Sequence, residues 1–401
     1  MTDPVGSAPP ARAHPVPGGS PVVGVVGGGQ LARMLAPAAA RLAVALRPLV
    51  RDLAEPVARV HPDVVLGAPD AAGLRALAAA CDVLTVEHEL VDLDTLRSLT
   101  ADGVAVHPSA DTLEIAVDKV RQREVLGAAG VPVPPWRLVR TREEADAVAT
   151  EHGWPLVAKA PRGGYDGRGV WFVDHAQQLG QVLAEVAGPL LLEPALAIER
   201  ELAVLVARRP GGQQVVYPPV ETVQVDGICH EVLLPGRVTE AQDRRARELA
   251  GAIAETVDHV GILAIELFVV DGEVVLNELA ARPHNAGHLT IEASVTSQFE
   301  NHLRAVLDLP LGDPAPRVPA AAMVNVLGVD DRDPRTRLAD ALAHPGASVH
   351  LYDKGPQPGR KLGHVTATGD ELTEAVGRAR RAAGALTGGD DGPTPTTKAS
   401  T

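Results

Sequence analysis

Ile262-Leu263-Ala264-Ile265-Glu266-Leu267-Phe268-Val269-Val270-Asp271-Gly272-Glu273-Val274-Val275-Leu276-Asn277-Glu278-Leu279 reads as two strands, Ile262–Val270 and Glu273–Leu279. Asp271-Gly272 between them supplies the left-handed backbone that a tight hairpin needs. A two-residue turn sets Glu266 opposite Asn277, and a three-residue loop sets it opposite Glu278. Either register brings three oxygen-bearing side chains to one level of a sheet. Two solvated acids would be the plainer reading, but both glutamates are embedded among Leu, Ile, Val and Phe. A buried carboxylate without a partner is costly, so a cation explains the pair better. Oxygen donors suit a hard ion, Mg²⁺ or Mn²⁺, with phosphate oxygens completing its shell.

Outward from the hairpin, Ala281-Arg282-Pro283-His284-Asn285-Ala286-Gly287-His288 adds a cation, an amide and two imidazoles. Beside a metal and a phosphate, Arg282 reads as a clamp on transferring charge. Upstream, Lys159 lies in the apolar run Leu156–Ala160, where an ammonium needs a partner such as a nucleotide phosphate. Gly163-Gly164-Tyr165-Asp166-Gly167-Arg168-Gly169 follows, a glycine loop suited to closing over phosphates. Lys119 falls on an amphipathic stretch, Thr112–Ala129, expected to be one helix. Strand-like runs from Leu190 to about Val238 fit an antiparallel sheet, and Ala241–Val257 fits a helix.

At the other end, Val22–Val26, Gly27-Gly28-Gly29 and Gln30-Leu31-Ala32 form a strand, a turn and a helix start. Further short strands make an open parallel sheet over about 21–107. Gly27, Gly29 and Ala32 also match a dinucleotide-binding turn, with Asp52 as a ribose-binding acid. Alternatively Gln30 presents its amide to a ligand, at a helix start that favours phosphate. Near the C-terminus, Tyr352–His364 carries Lys354, Arg360 and Lys361, which fits a phosphate pocket.

The 401-residue chain has 37 Lys+Arg against 51 Asp+Glu, a net charge of −14. Such a surface repels nucleic acid, and 2% aromatics leaves few stacking platforms for single strands. Cys81 and Cys229 show no disulfide or metal spacing, which suits a reducing cytoplasm. No apolar run reaches membrane-spanning length, so no membrane partner is expected. Residues 1–20 read as a disordered leader and 388–401 as a disordered tail.

Taken together, the motifs resemble the ATP-grasp ligases, and within them the N5-carboxyaminoimidazole ribonucleotide synthase family of purine biosynthesis. Gly27–Leu31, Gly163–Gly169, Asn277–Ala280, Arg282–Asn285 and Pro358–Lys361 occur in that family's order. The resemblance implies an N-terminal open parallel α/β domain over 21–107, then an ATP-grasp unit over 108–315. A lid subdomain would span about 130–192, and a small β-rich domain 316–387. It implies that Lys119, Lys159 and Gly164 hold ATP phosphates, that Glu193 through Leu196 face adenine, and that Glu201 binds ribose. Glu266, Asn277 and Glu278 would hold Mg²⁺. The ribonucleotide would lie among Gln30, Glu87, Tyr165, Asp166, Arg168, Asn285, Lys354, Arg360 and Lys361. Catalytic roles fall to Asp166, Lys354 and Arg282, with Asp166 positioning or deprotonating the substrate amine.

The implied reaction uses ATP and bicarbonate to form carboxyphosphate, which carboxylates the amine of 5-aminoimidazole ribonucleotide. A homodimer is implied as well. Ala281 stands where relatives often have proline, which should loosen its loop, and Gln224 where they often have histidine. Two other classes compete. An NAD-linked oxidoreductase leaves the hairpin acids and Lys159 unexplained. A non-catalytic nucleotide-binding protein would be expected to lack Glu266, Glu278 or Lys159, and all three are present.

Overall fold

The β-branched run Val22–Val26 (β1) forms the centre of a five-stranded parallel sheet with the order β3-β2-β1-β4-β5. Its other strands are Ala45–Val50 (β2), Val65–Leu66 (β3), Val83–Val86 (β4) and Ala105–Val106 (β5). Helices Gln30–Arg41 (α1), Ala71–Ala78 (α2) and Leu93–Ala101 (α3) connect them, as parallel pairing requires. The computed structural model describes residues 19–163, 169–186 and 188–388. The leader and tail expected at the two ends lie almost wholly outside these residues.

The helix expected over Thr112–Ala129 is two: Ala110–Val117 (α4) and Lys119–Ala128 (α5). Asp118 breaks it by taking an extended backbone, and its carboxylate caps α5 by accepting from the N–H groups of Val120 and Arg121. An aspartate competes with the helix for those donors and wins at an N-cap. The break puts Lys119 in the first turn of α5.

A four-stranded sheet, β6-β9-β7-β8, follows. It comprises Arg137–Val139 (β6), Leu156–Lys159 (β7), Val170–Val173 (β8) and Leu190–Pro194 (β9), backed by Arg142–His152 (α6) and Ala176–Glu185 (α7). The third sheet has nine strands and begins with Ile198–Arg208 (β10), Gln214–Val216 (β11), Val220–Val225 (β12) and Ile228–Leu234 (β13). Glu240–Thr256 (α8) covers one face, and Gly261–Val270 (β14) and Glu273–Ala280 (β15) form the hairpin. Thr290–Ala293 (α9) and Gln298–Val306 (α10) come next.

The C-terminal strands Ala320–Leu327 (β16), Ala347–Leu351 (β17) and Lys361–Gly369 (β18) continue this same sheet. β13 pairs with β16 from Glu231 opposite Val324 to Leu234 opposite Ala321. Leu338–Leu342 (α11) and Leu372–Thr387 (α12) pack against the extension. Arg380 of α12 bridges back to Glu231 of β13 through two bonds of 2.6 and 2.9 Å. The small C-terminal unit is thus hydrogen-bonded into the sheet that carries the hairpin.

One core joins the parallel sheet to the nine-stranded one, running from Val26, Leu84 and Leu113 to Leu263, Ile265 and Leu276. A second packs α1 against α10 and Tyr352, through Leu31, Leu35, Phe299 and Leu303. Aliphatic side chains do nearly all of this, as the aromatic poverty requires.

Candidate active site

The hairpin resolves its two possible registers by combining them. Asp271 and Gly272 both have positive φ, 50° and 80°, and Val270 pairs with Glu273, so the turn has two residues. A bulge between Glu266 and Leu267 then shifts the pairing, and Glu266 faces Glu278. In a regular strand Asn277 and Glu278 would point to opposite faces. The bulge lets both face the same cleft. There Asn277 Nδ2 donates to Glu266 Oε2 (3.3 Å), and Asn277 Oδ1 accepts from Lys159 Nζ (3.5 Å).

Three carboxylates share this face, because Glu201 of β10 lies two residues from Ala203, the partner of Glu266. Enclosure raises the Glu266 carboxyl to about 8, with Glu278 and then Glu201 adding repulsion. Burial alone lifts Glu201 to about 7. Burial would raise Glu278 too, but Lys119, at 2.7 Å from its Oε2, outweighs this and holds it low. His284 Nε2 stands 3.3 Å from Glu266 Oε1. Facing carboxylates beside a side-chain amide make a set of hard oxygen donors, which fits a divalent cation completed by phosphate oxygens. Among the described residues no three His, Cys, Asp or Glu side chains form a complete metal site. Glu266, Glu278 and Asn277 would hold the ion from one side only.

Lys159, at the end of β7, faces this cleft from the four-stranded sheet. Its Nζ lies 2.6 Å from Glu193 Oε2, and Arg123 of α5 reaches Glu193 Oε1 at 2.8 Å. Arg123 and Glu193 are almost wholly buried, and burial draws Lys159 below its ordinary value despite Glu193. The Glu193 side chain therefore serves this triad. Sequence reading did not single out Arg123. Its only signal was a position one turn from Lys119.

The glycine turn is occupied. Glu87, after β4, accepts hydrogen bonds from Gly29 N and Ala32 N (3.0 Å), capping α1. A Cβ on Gly27 would sit 2.5 Å from Glu87 Cγ, so these glycines make room for a carboxylate. A pyrophosphate would meet that charge at the same N–H groups, which argues against the dinucleotide reading. Asp52 accepts from its own loop at Ala54 N (2.7 Å).

Arg282, expected to clamp a phosphate, gives its Nε to Glu89 Oε2 (2.9 Å) and its Nη1 to Pro283 O. Ala281 N donates to Glu89 Oε1 at 3.2 Å. A proline could not make that bond, so Ala281 ties its loop down where loosening was expected. Asn285 has its amide committed to Asn325 in a reciprocal pair of 2.9 and 2.8 Å. Gln30 Oε1 accepts from Lys354 Nζ across the seam between the N- and C-terminal units. Arg360 donates to Gly355 O (3.0 Å), and Lys361 begins β18. Gly164, Tyr165, Asp166 and Arg168 lie outside the described residues.

Comparison with known proteins matches three stretches of the chain. Residues 21–117 match the ribonucleotide synthetase preATP-grasp domain, 124–299 the ATP-grasp domain, and 321–378 the phosphoribosylaminoimidazole carboxylase C-terminal domain. The chain is 45% identical over 375 residues to N5-carboxyaminoimidazole ribonucleotide synthase of Mycobacterium tuberculosis, covering 91% of this chain and 87% of that one. The carboxyaminoimidazole ribonucleotide synthase of Aspergillus clavatus, solved with ATP, superposes with a TM-score of 0.85 at 36% identity. That match covers 92% of this chain and 98% of the other. The same enzyme solved with ADP and 5-aminoimidazole ribonucleotide gives the same TM-score and identity.

Proposed function

The chain belongs to the N5-carboxyaminoimidazole ribonucleotide synthase family of ATP-grasp ligases, and on that premise we propose that it carboxylates 5-aminoimidazole ribonucleotide at the expense of ATP and bicarbonate. The observation that carries the reading is the cleft itself. Three carboxylates on one sheet face two lysines, Lys119 and Lys159, next to a seam rich in cations. An ATP-dependent ligase needs this division: acids for the nucleotide's metal and cations for a phosphorylated acceptor.

Lys119 and Lys159 neutralise the phosphates of ATP, and Asn277 orients both Lys159 and Glu266. Glu201 stands on the same sheet face, two residues along β10 from the partner of Glu266, and its carboxylate accepts from ribose hydroxyls. Glu266, Glu278 and Asn277 would hold Mg²⁺ or Mn²⁺, which would offset charge on the transferring phosphoryl group. A bicarbonate oxygen takes the γ-phosphoryl, releasing ADP and leaving carboxyphosphate. The exocyclic amine then attacks the carboxyl carbon, phosphate leaves, and the nitrogen gives up a proton. Asp166 accepts or directs that proton, while Gln30, Lys354, Arg360 and Lys361 hold the ribonucleotide. Glu87 and Arg282 act from behind, fixing α1 and the loop after β15. Cys81 and Cys229 form no disulfide among the described residues, which supports a reducing cytoplasm, and the family resemblance supports a homodimer.

ADP release is measured with Mg-ATP and bicarbonate, with and without aminoimidazole ribonucleotide. Stimulation by the ribonucleotide is expected. Its absence would overturn the substrate while leaving the ATP-grasp fold intact.

A further inference from the structure

Asp353 lies between Tyr352, buried with its Oη 2.7 Å from His364 Nδ1, and Lys354, bound to Gln30. Its backbone is left-handed, at φ 58°, a conformation that Asp and Asn tolerate better than most residues. Three guanidinium groups from three separate segments surround its carboxylate. Arg33 of α1 is 4.0 Å away, Arg59 of the loop after β2 is 3.3 Å away, and Arg335 of the C-terminal unit makes the shortest contact. Arg335 also pairs with Asp333, so Asp353 stands as the common counter-charge of the group.

Gln30 and Arg33 are one turn apart on α1 and therefore on one face. They meet Lys354 and Asp353, consecutive residues of the C-terminal unit. Two adjacent cross-links thus tie α1 to the segment carrying Lys354.

We propose that Asp353 is a positioning residue for the phosphorylated acceptor: by gathering Arg33, Arg59 and Arg335 it holds Lys354 at Gln30. This inference rests on the function proposed above, because it takes Lys354 as a contact to the ribonucleotide. Without the carboxylate charge the three guanidinium groups repel one another, and the cross-link from α1 to Asp353 is lost. Lys354 then samples other positions, and ribonucleotide binding weakens while the ATP cleft is untouched.

Three substitutions separate charge from backbone. Asp353→Asn keeps a side chain that accepts φ 58° and removes the charge. Asp353→Gly keeps backbone freedom and removes the side chain. Asp353→Ala loses both. Steady-state ADP release should show KM for aminoimidazole ribonucleotide raised about tenfold in Asp353→Asn and Asp353→Gly, a loss of about 1.4 kcal/mol. Both kcat and KM for ATP should stay within about twofold. Arg59→Met, which removes a half-exposed cation and leaves the carboxylate, should shift the same KM by a smaller factor and serves if Asp353→Asn does not fold. An unchanged ribonucleotide KM in both Asp353→Asn and Asp353→Gly overturns the inference. Impairment of Asp353→Ala alone also overturns it, by showing that only the backbone matters. If the unsubstituted protein shows no ribonucleotide-stimulated ADP release, the function reading falls, and this inference with it.

Discussion

The cleft under the hairpin and the seam beside α1 are built on opposite electrostatic plans. In the cleft, Glu201, Glu266 and Glu278 share one sheet face, and burial, with repulsion from the other two, raises Glu266 to about 8. In the seam, Arg33, Arg59, Arg335 and Lys354 crowd around Asp353 and Gln30. One surface gathers acids on a single sheet face, and the other gathers cations around a single acid. The difference teaches that two ligands of opposite local character can be bound by a protein whose net charge of −14 describes neither surface.

The most severe test strikes the support behind the cleft. Arg123→Met would leave Glu193 buried with Lys159 alone, and breaking a buried pair costs about 3–5 kcal/mol. Chemical denaturation should register that loss, and a change within about 0.5 kcal/mol would show the triad to be dispensable. Glu278→Gln should lower ADP release by at least about a hundredfold, the scale of losing one transition-state contact. Ribonucleotide affinity, measured by calorimetry, should hold. Loss of both would break the separation of cleft from seam.

Acid should not distinguish the two regions, because they share a joint. Thr85 Oγ1 of β4 lies 2.9 Å from His302 Nε2, and His302 Nδ1 accepts from Ile262 N of β14. Burial lowers His302 and His259 to about 3. An unfolded histidine titrates near 6.5, so their stabilisation is complete above that pH and is lost as pH falls. At pH 5 the loss is up to about 2 kcal/mol for each, seen as a falling Tm. A flat Tm between pH 7 and 5 would remove these histidines from the stability of the joint. The smallest effect belongs to the seam. Lys354→Ala should raise the ribonucleotide KM about tenfold and leave KM for ATP unchanged, as steady-state kinetics would show. A matched change in both would mean that the two regions act as one.

Local rules made much of this legible. β-branched runs marked the parallel strands, Asp271-Gly272 marked the hairpin, and the acids stood out against their apolar neighbours. What escaped was set by pairing details and by contacts that periodicity does not report. The bulge at Asn277 depends on how β15 meets β14, and no residue near the turn announces it. Asp118 breaks a helix that periodicity alone would run through, because capping outweighs propensity at that position. Glu87 was assigned to the substrate, yet its carboxylate turns to the N–H groups of α1, 55 and 58 residues earlier in the chain. Arg123 and Asp353 were not singled out, because only folding brings their partners together.

The pairing of β13 with β16 bears on how the chain could be shortened. A protein ending before residue 320 would bare the β13 edge from Glu231 to Leu234, with Val232, Leu233 and Leu234 stripped of their neighbours. An uncovered apolar strand edge recruits other chains. Such a truncation should aggregate during expression, although every acid and lysine of the ATP cleft would remain in it.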